Sequence, residues 1–128
     1  MSKTVYTKEH EWLRTEADGT VTVGITEYAQ DHLGDVVFVQ LPDVGREIGK
    51  GEEASVIESV KTAGEILMPV AGTVSAINES LADEPGKVNE DALGAGWFFR
   101  FKPAQATDIE AGGFLDEAGY KAYLETLG

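Results

Sequence analysis

Hydrophobic side chains along this chain recur mostly at alternate positions, in short runs broken by glycine and polar turns, which is the pattern of half-buried β-strands. EWLR (11–14) and TVTVGI (20–25) flank Asp18-Gly19 and predict a hairpin. DVVFVQL (35–41) is nearly all apolar and reads as a buried strand closed by Pro42. In WFFRFK (97–102), Phe99 and Phe101 fall on one side and Arg100 and Lys102 on the other, a strand with one buried face. Helical spacing is confined to short stretches. Thr26 is placed to cap EYAQDHL (27–33), which Gly34 ends. Asn78 is expected to cap one helical turn at 79–82. Asp116 is expected to cap a C-terminal helix at about 116–127, stapled by Leu115 and Tyr120, with Tyr123, Leu124 and Leu127 buried against a sheet. The fold class that follows is mainly β with small helices, in two small antiparallel sheets.

From residue 45 the turns and strands converge on ESVKTAGEI (58–66). Gly51 precedes Lys61 by ten positions and Gly72 follows it by eleven; Val56 and Ile66 stand five away on either side. Two such arms predict a hairpin over about 52–70 with Lys61 at its tip, among the small residues Ser59, Thr62, Ala63 and Gly64. An exposed turn lysine is ordinary in itself. The symmetry marks this one as a candidate for modification.

Charge and composition then remove function classes. The chain has 128 residues, consistent with a single domain over 1–128, and carries 23 acidic against 10 basic side chains, a net charge of −13. Nucleic acid is excluded as a partner, because phosphate binding needs clustered Lys and Arg; basic patches on other proteins suit this charge. There is no cysteine, hence no disulfide, thiolate nucleophile or cysteine-bound metal, and thiol chemistry must arrive with a cofactor. With two histidines and neither GxSxG nor HExxH, no metal site and no catalytic residues are expected. No secretory h-region and no apolar run of membrane-spanning length is present, so the expectation is a cytoplasmic protein that does not enter a membrane.

The stretch around Lys61 resembles the lipoyl- and biotinyl-acceptor domains, in which a protruding hairpin offers its lysine for acylation. Val60 and Thr62 stand where biotin acceptors carry methionines, which favours lipoyl. With YTKEHEWLR (6–14), GITEYAQDHLGDVVFVQLP (24–42), ESVK (58–61), VNEDALGAGWFFRFKP (88–103) and LDEAGYKAYLE (115–125), nearly the whole chain resembles the glycine cleavage system H proteins. The resemblance implies a lipoyl/biotinyl-type hybrid sandwich and lipoic acid held in amide linkage on Lys61. It implies a carrier with no activity of its own, shuttling an aminomethyl group. It implies an arm loaded by a pyridoxal-phosphate glycine decarboxylase, unloaded by a tetrahydrofolate-dependent aminomethyltransferase, reoxidised by dihydrolipoamide dehydrogenase, and attached by a lipoate ligase or lipoyl transferase. The resemblance further implies a cleft that parks the loaded arm, with Glu11, His32, Glu65 and Glu9 as its polar groups. His10 and Trp12 are assigned to packing and local hydrogen bonds. One departure stands beside the lysine: the family has a small residue and then Ser-Asp, whereas Ala63 is followed here by Gly64-Glu65, without the hydroxyl and with a longer acid. The alternative is a lipoyl domain or lipoyl donor serving a 2-oxoacid dehydrogenase; the absence of a flexible linker before the hairpin speaks against it.

Overall fold

Strands β2 (Glu11–Thr15) and β3 (Val21–Ile25) pair antiparallel around Asp18-Gly19, from Glu11 opposite Ile25 to Thr15 opposite Val21. In the computed structural model, which describes residues 3–105, 109 and 113–127, this hairpin nucleates the larger of two sheets. β1 (Lys3–Tyr6) lies outside β2; on the other side follow β9 (Phe99–Pro103), β8 (Gly72–Ile77) and the two-residue β5 (Glu47–Ile48), giving the order β1-β2-β3-β9-β8-β5. The second sheet is three-stranded: β4 (Val36–Gln40), β6 (Glu53–Ser59) and β7 (Ala63–Leu67), with β6 in the middle. All pairings are antiparallel. α1 (Glu27–Leu33) links the sheets, the single turns α2 (Ser80–Asp83) and α3 (Lys87–Glu90) follow β8, and α4 (Glu117–Thr126) ends the fold.

The core between the sheets is built from alternate strand positions: Leu13, Val21, Val23, Val74, Phe99 and Phe101 from the larger sheet, Val39, Ile57 and Ile66 from the smaller. The opposite face of β2–β3 is covered too. Trp12 is buried over Gly24, its register partner, and a Cβ at Gly24 would stand 2.4 Å from the indole. The indole Nε1 donates to the Ala92 carbonyl at 2.9 Å. Trp12 is therefore a packing residue, as its sequence position suggests. α1 has the expected caps: Thr26 Oγ1 accepts from Ala29 N–H, and Gly34 N–H donates to the Gln30 carbonyl.

Three expectations require correction. β4 is not a fully buried strand: its register shifts between Val36 and Phe38, and the irregularity turns both Val37 and Phe38 outward, 55% and 48% exposed. Asn78 does not cap α2. Its amide donates to the Ala95 and Trp97 carbonyls at 2.7 and 2.8 Å, and its Oδ1 accepts from the Ser80 hydroxyl, so it fastens the segment leading into β9. At the C-terminus the Asp116 cap forms as expected, accepting from Gly119 N–H at 2.7 Å. The residue α4 buries, however, is Tyr120; Tyr123 and Leu124 are half-buried, and Leu127 is 44% exposed. The Leu115 backbone pairs with Tyr6, and the Tyr120 ring stacks on Tyr6 at 4.9 Å, so β1 receives both. Such an aromatic pair contributes about 0.5–1.5 kcal/mol beyond its buried area, enough to set where a ten-residue helix docks. Among the described residues, no helix is long and apolar enough to cross a membrane.

Candidate functional site

Lys61 sits in the three-residue tip, 60–62, between β6 and β7. Ser59 builds the turn: its N–H and hydroxyl both donate to the Thr62 carbonyl, at 2.8 and 2.9 Å, and its Oγ accepts from Thr62 N–H and, at 3.3 Å, from Lys61 N–H. The tip is moored to the body by Val60 N–H, which donates to the Asp35 carbonyl at 3.0 Å. The Lys61 stem lies back over Gly34, its Cε 3.2 Å from where a Cβ on that glycine would stand. Gly34 has φ 74° and ψ −158°, a region almost reserved for glycine. Asn89 of α3 fixes this platform from below, donating to the Gly34 carbonyl (2.8 Å) and Gln30 Oε1 (3.1 Å) and accepting from Val36 N–H (2.8 Å).

Beside the tip, between α1 and the hairpin, opens a cleft of about 290 Å³. Thr62 and Gly64 form its mouth, and Ile25, Leu33, Ile57 and Ile66 give it apolar walls. All four residues expected as its polar groups, Glu9, Glu11, His32 and Glu65, line it. Their states differ from one another.

Glu11 is buried, 4% exposed. Burial, and then the Glu9 charge, push its carboxyl up to about 8, against opposing hydrogen bonds from Leu67 N–H and Thr7. At neutral pH that makes it mainly a neutral acid. Its backbone is locked by reciprocal bonds with Thr7: Thr7 N–H to the Glu11 carbonyl, and Glu11 N–H to Thr7 Oγ1. His32 is exposed at the end of α1, and its Nδ1 lies 2.9 Å from the Tyr28 carbonyl. That nitrogen must donate, so in the neutral ring Nε2 is the acceptor. Glu9 is exposed at the rim. Glu65 borders the mouth, but its carboxyl is engaged with Glu53 across the hairpin. The hydrogen bond between the two, then the Glu53 charge, raises it. No such pairing is visible without the strand register, which sets Glu65 opposite Val56 and Glu53 opposite Leu67.

His10 also lines the cleft, in addition to its packing role. It has φ 68°, uncommon for a residue with a Cβ. Burial, then the nearby His32, lower its tendency to protonate, with Glu9 opposing. Tyr28, whose ring lies between the two histidines at 4.4 and 4.1 Å, is a cleft residue that sequence reasoning missed. Its only signal was a position one turn before His32 on the same helix face.

Two sheets around one core, with a single lysine lifted on a hairpin tip beside a cleft, make a lipoyl-type sandwich. Comparison with known proteins agrees. The family model for the glycine cleavage H-protein matches residues 4–127. The glycine cleavage system H protein of Beijerinckia indica is 58% identical, over 99% of this chain and 100% of its own length. The glycine cleavage system H protein 1 of Pseudomonas aeruginosa is 57% identical, over 97% of this chain and 95% of its own. A crystal structure of a glycine cleavage system H protein from Mycobacterium marinum superposes with a TM-score of 0.84 at 35% identity, covering 96% of this chain and 97% of that one. The chain belongs to the glycine cleavage H-protein family. That family is the lipoyl carrier of the glycine cleavage system, a carrier subunit rather than a catalyst.

Proposed function

We propose that this protein carries a lipoyl group in amide linkage on Lys61, attached by a lipoate ligase or lipoyl transferase, and that the cleft between α1 and the hairpin parks the loaded arm. The observation that carries the reading is one juxtaposition: the only tip amine of the hairpin lies on Gly34, at the mouth of a cleft whose buried polar end is Glu11. When bound, the dithiolane supplies the group-carrier chemistry, taking up and surrendering the aminomethyl cargo and cycling between disulfide and dithiol.

The residues of this chain do the rest. Gly34 and Thr62 leave room for the lysine stem to turn inward. Ile25, Leu33, Ile57 and Ile66 cover an alkyl chain and exclude water. Glu11 and His32 would hold the cargo's ammonium. A positive charge beside a buried carboxyl favours its ionised form, so Glu11 gives up its proton as the ammonium arrives and then accepts a charge-assisted hydrogen bond, worth roughly 1.5–3 kcal/mol. His32 Nε2 offers a second acceptor. Glu9 and Glu65 line the rim with acidic side chains, which favours the approach of a cation.

Glycine decarboxylase, aminomethyltransferase and dihydrolipoamide dehydrogenase are the partners in the cytoplasm, each reached by the free arm. The other use of such a hairpin, in a 2-oxoacid dehydrogenase, gives no role to a cleft built from β2 and α1. The test is the intact mass of the native protein with peptide mapping of the modified residue. Lys61→Arg is expected to fold normally and to incorporate no lipoate; labelling that persists at another lysine would overturn the assignment.

A further inference from the structure

The two polar walls of the cleft come from different elements, Glu11 from the start of β2 and His32 from the last turn of α1. The segments that carry them are joined by a residue outside the cleft, on α4. The Tyr120 hydroxyl lies 2.8 Å from His10 Nδ1 and 2.7 Å from Thr26 Oγ1, at the centre of three elements. The donors can be ordered. Burial raises the Tyr120 phenol, so it stays protonated and donates. His10 Nδ1 accepts from it, which makes Nε2 the protonated nitrogen of a neutral ring. The Thr26 hydroxyl donates to the Tyr120 oxygen while its lone pair caps α1 through Ala29 N–H. From His10 the contact continues as a column of rings: His10 on Tyr28 at 4.4 Å, Tyr28 on His32 at 4.1 Å. His10 immediately precedes Glu11 and holds a left-handed backbone conformation that the surroundings must maintain.

We propose that Tyr120 is a positioning residue for the cleft: its hydroxyl ties the His10 turn to the N-terminus of α1 and thereby fixes where Glu11 and His32 stand relative to each other. The C-terminal helix is then more than a cover for β1. Its stacking on Tyr6 and its hydroxyl are separable, since a phenylalanine keeps the first and loses the second. The consequence for the parked cargo rests on the function proposed above; the bridge itself does not.

Tyr120→Phe decides the matter on three readouts. In the unmodified protein, ¹⁵N NMR of the imidazoles is expected to show His10 as the Nε2–H tautomer in the wild type. The variant is expected to show a tautomer mixture with an upward-shifted titration midpoint, and displaced amide signals at Glu11 and His32. Lipoylation of Lys61 is expected at the wild-type rate. In the aminomethyl-loaded protein, ammonia release is expected to be about five times faster, the effect of one lost hydrogen bond. Thr26→Ser, which keeps a hydroxyl, is expected to match the wild type throughout. Should Tyr120→Phe fail to fold, Thr26→Val breaks the bridge on its α1 side and leaves the bond to His10, so it is read on the amide signals of Glu11 in β2, away from the α1 cap that it also removes. Unchanged histidine and amide signals overturn the proposal, as does unchanged decay in a protein whose wild-type form protects its cargo. If the wild type gives no protection, it is the parking function that fails, and the NMR signals of the unmodified protein alone decide the role of Tyr120.

Discussion

The hairpin tip and the Glu11 wall face the same cleft but are made in opposite ways. The tip is local: four consecutive residues, Ser59 to Thr62, supply nearly all its hydrogen bonds, and Lys61 is left in solvent. The wall is assembled from β2, β3, α1 and β7, segments far apart in the chain, and its key group is buried. On the function proposed above, a group read by a ligase and by several enzymes has to be exposed and can be encoded by a short stretch, whereas a group that holds an ammonium away from water has to be enclosed, which takes contributions from many elements.

The largest effect that distinguishes the two is a pH dependence at Glu11. Its folded-state carboxyl titrates at about 8 against an ordinary value of 4.5. Between those values the folded state binds the extra proton, so stability falls as pH rises. The stabilising contribution is fully present below the ordinary value and is lost as pH rises through about 8. Glu11→Gln removes the titration. Urea melts of the unmodified protein are expected to show wild type and variant alike near pH 5 and the variant ahead by on the order of 3 kcal/mol at pH 9. A parallel pair of curves would mean that Glu11 is already ionised in the unmodified protein. Loaded with cargo the order reverses. The amide cannot ionise, and ammonia release is expected to be about tenfold faster than in the wild type.

Gly34→Ala tests where the two regions meet. It puts a Cβ into a conformation that disfavours it and against the Lys61 stem. A stability loss of about 1–3 kcal/mol by urea denaturation is expected, together with slower lipoylation. Loss of stability with lipoylation at the wild-type rate would show that the stem is free of its platform. The smallest effect belongs to α4: Leu127→Ala is expected to change stability by less than about 0.5 kcal/mol, because that side chain is largely in solvent.

Much of the fold was legible because it is written in local chemistry. The β2–β3 hairpin follows from Asp-Gly between alternating runs, and α1 from a threonine cap and a terminal glycine. The symmetry about Lys61 anticipated the β6–β7 hairpin for the same reason. What sequence reasoning missed depends on partners. A register shift decides that Phe38 faces outward, the backbone of residues 95–97 claims Asn78, and a ring on β1 selects Tyr120 over Leu127. In the site, the identity of the polar residues came from the family resemblance, and their protonation and pairing did not. That Glu11 is neutral and that Glu65 shares its hydrogen bond with Glu53 are properties of packing and register.

The irregularity in β4 has a consequence for how this protein behaves in a crowd. β4 is an outer strand of the hairpin sheet and shows solvent two neighbouring apolar side chains, Val37 and Phe38. A flat strand of that kind invites another molecule's strand to add on and, with it, fibrous aggregation. The shift between Val36 and Phe38 spoils the spacing of the free amide and carbonyl groups along that edge. The molecule can thus hold its hairpin tip out without offering the β4 edge for extension.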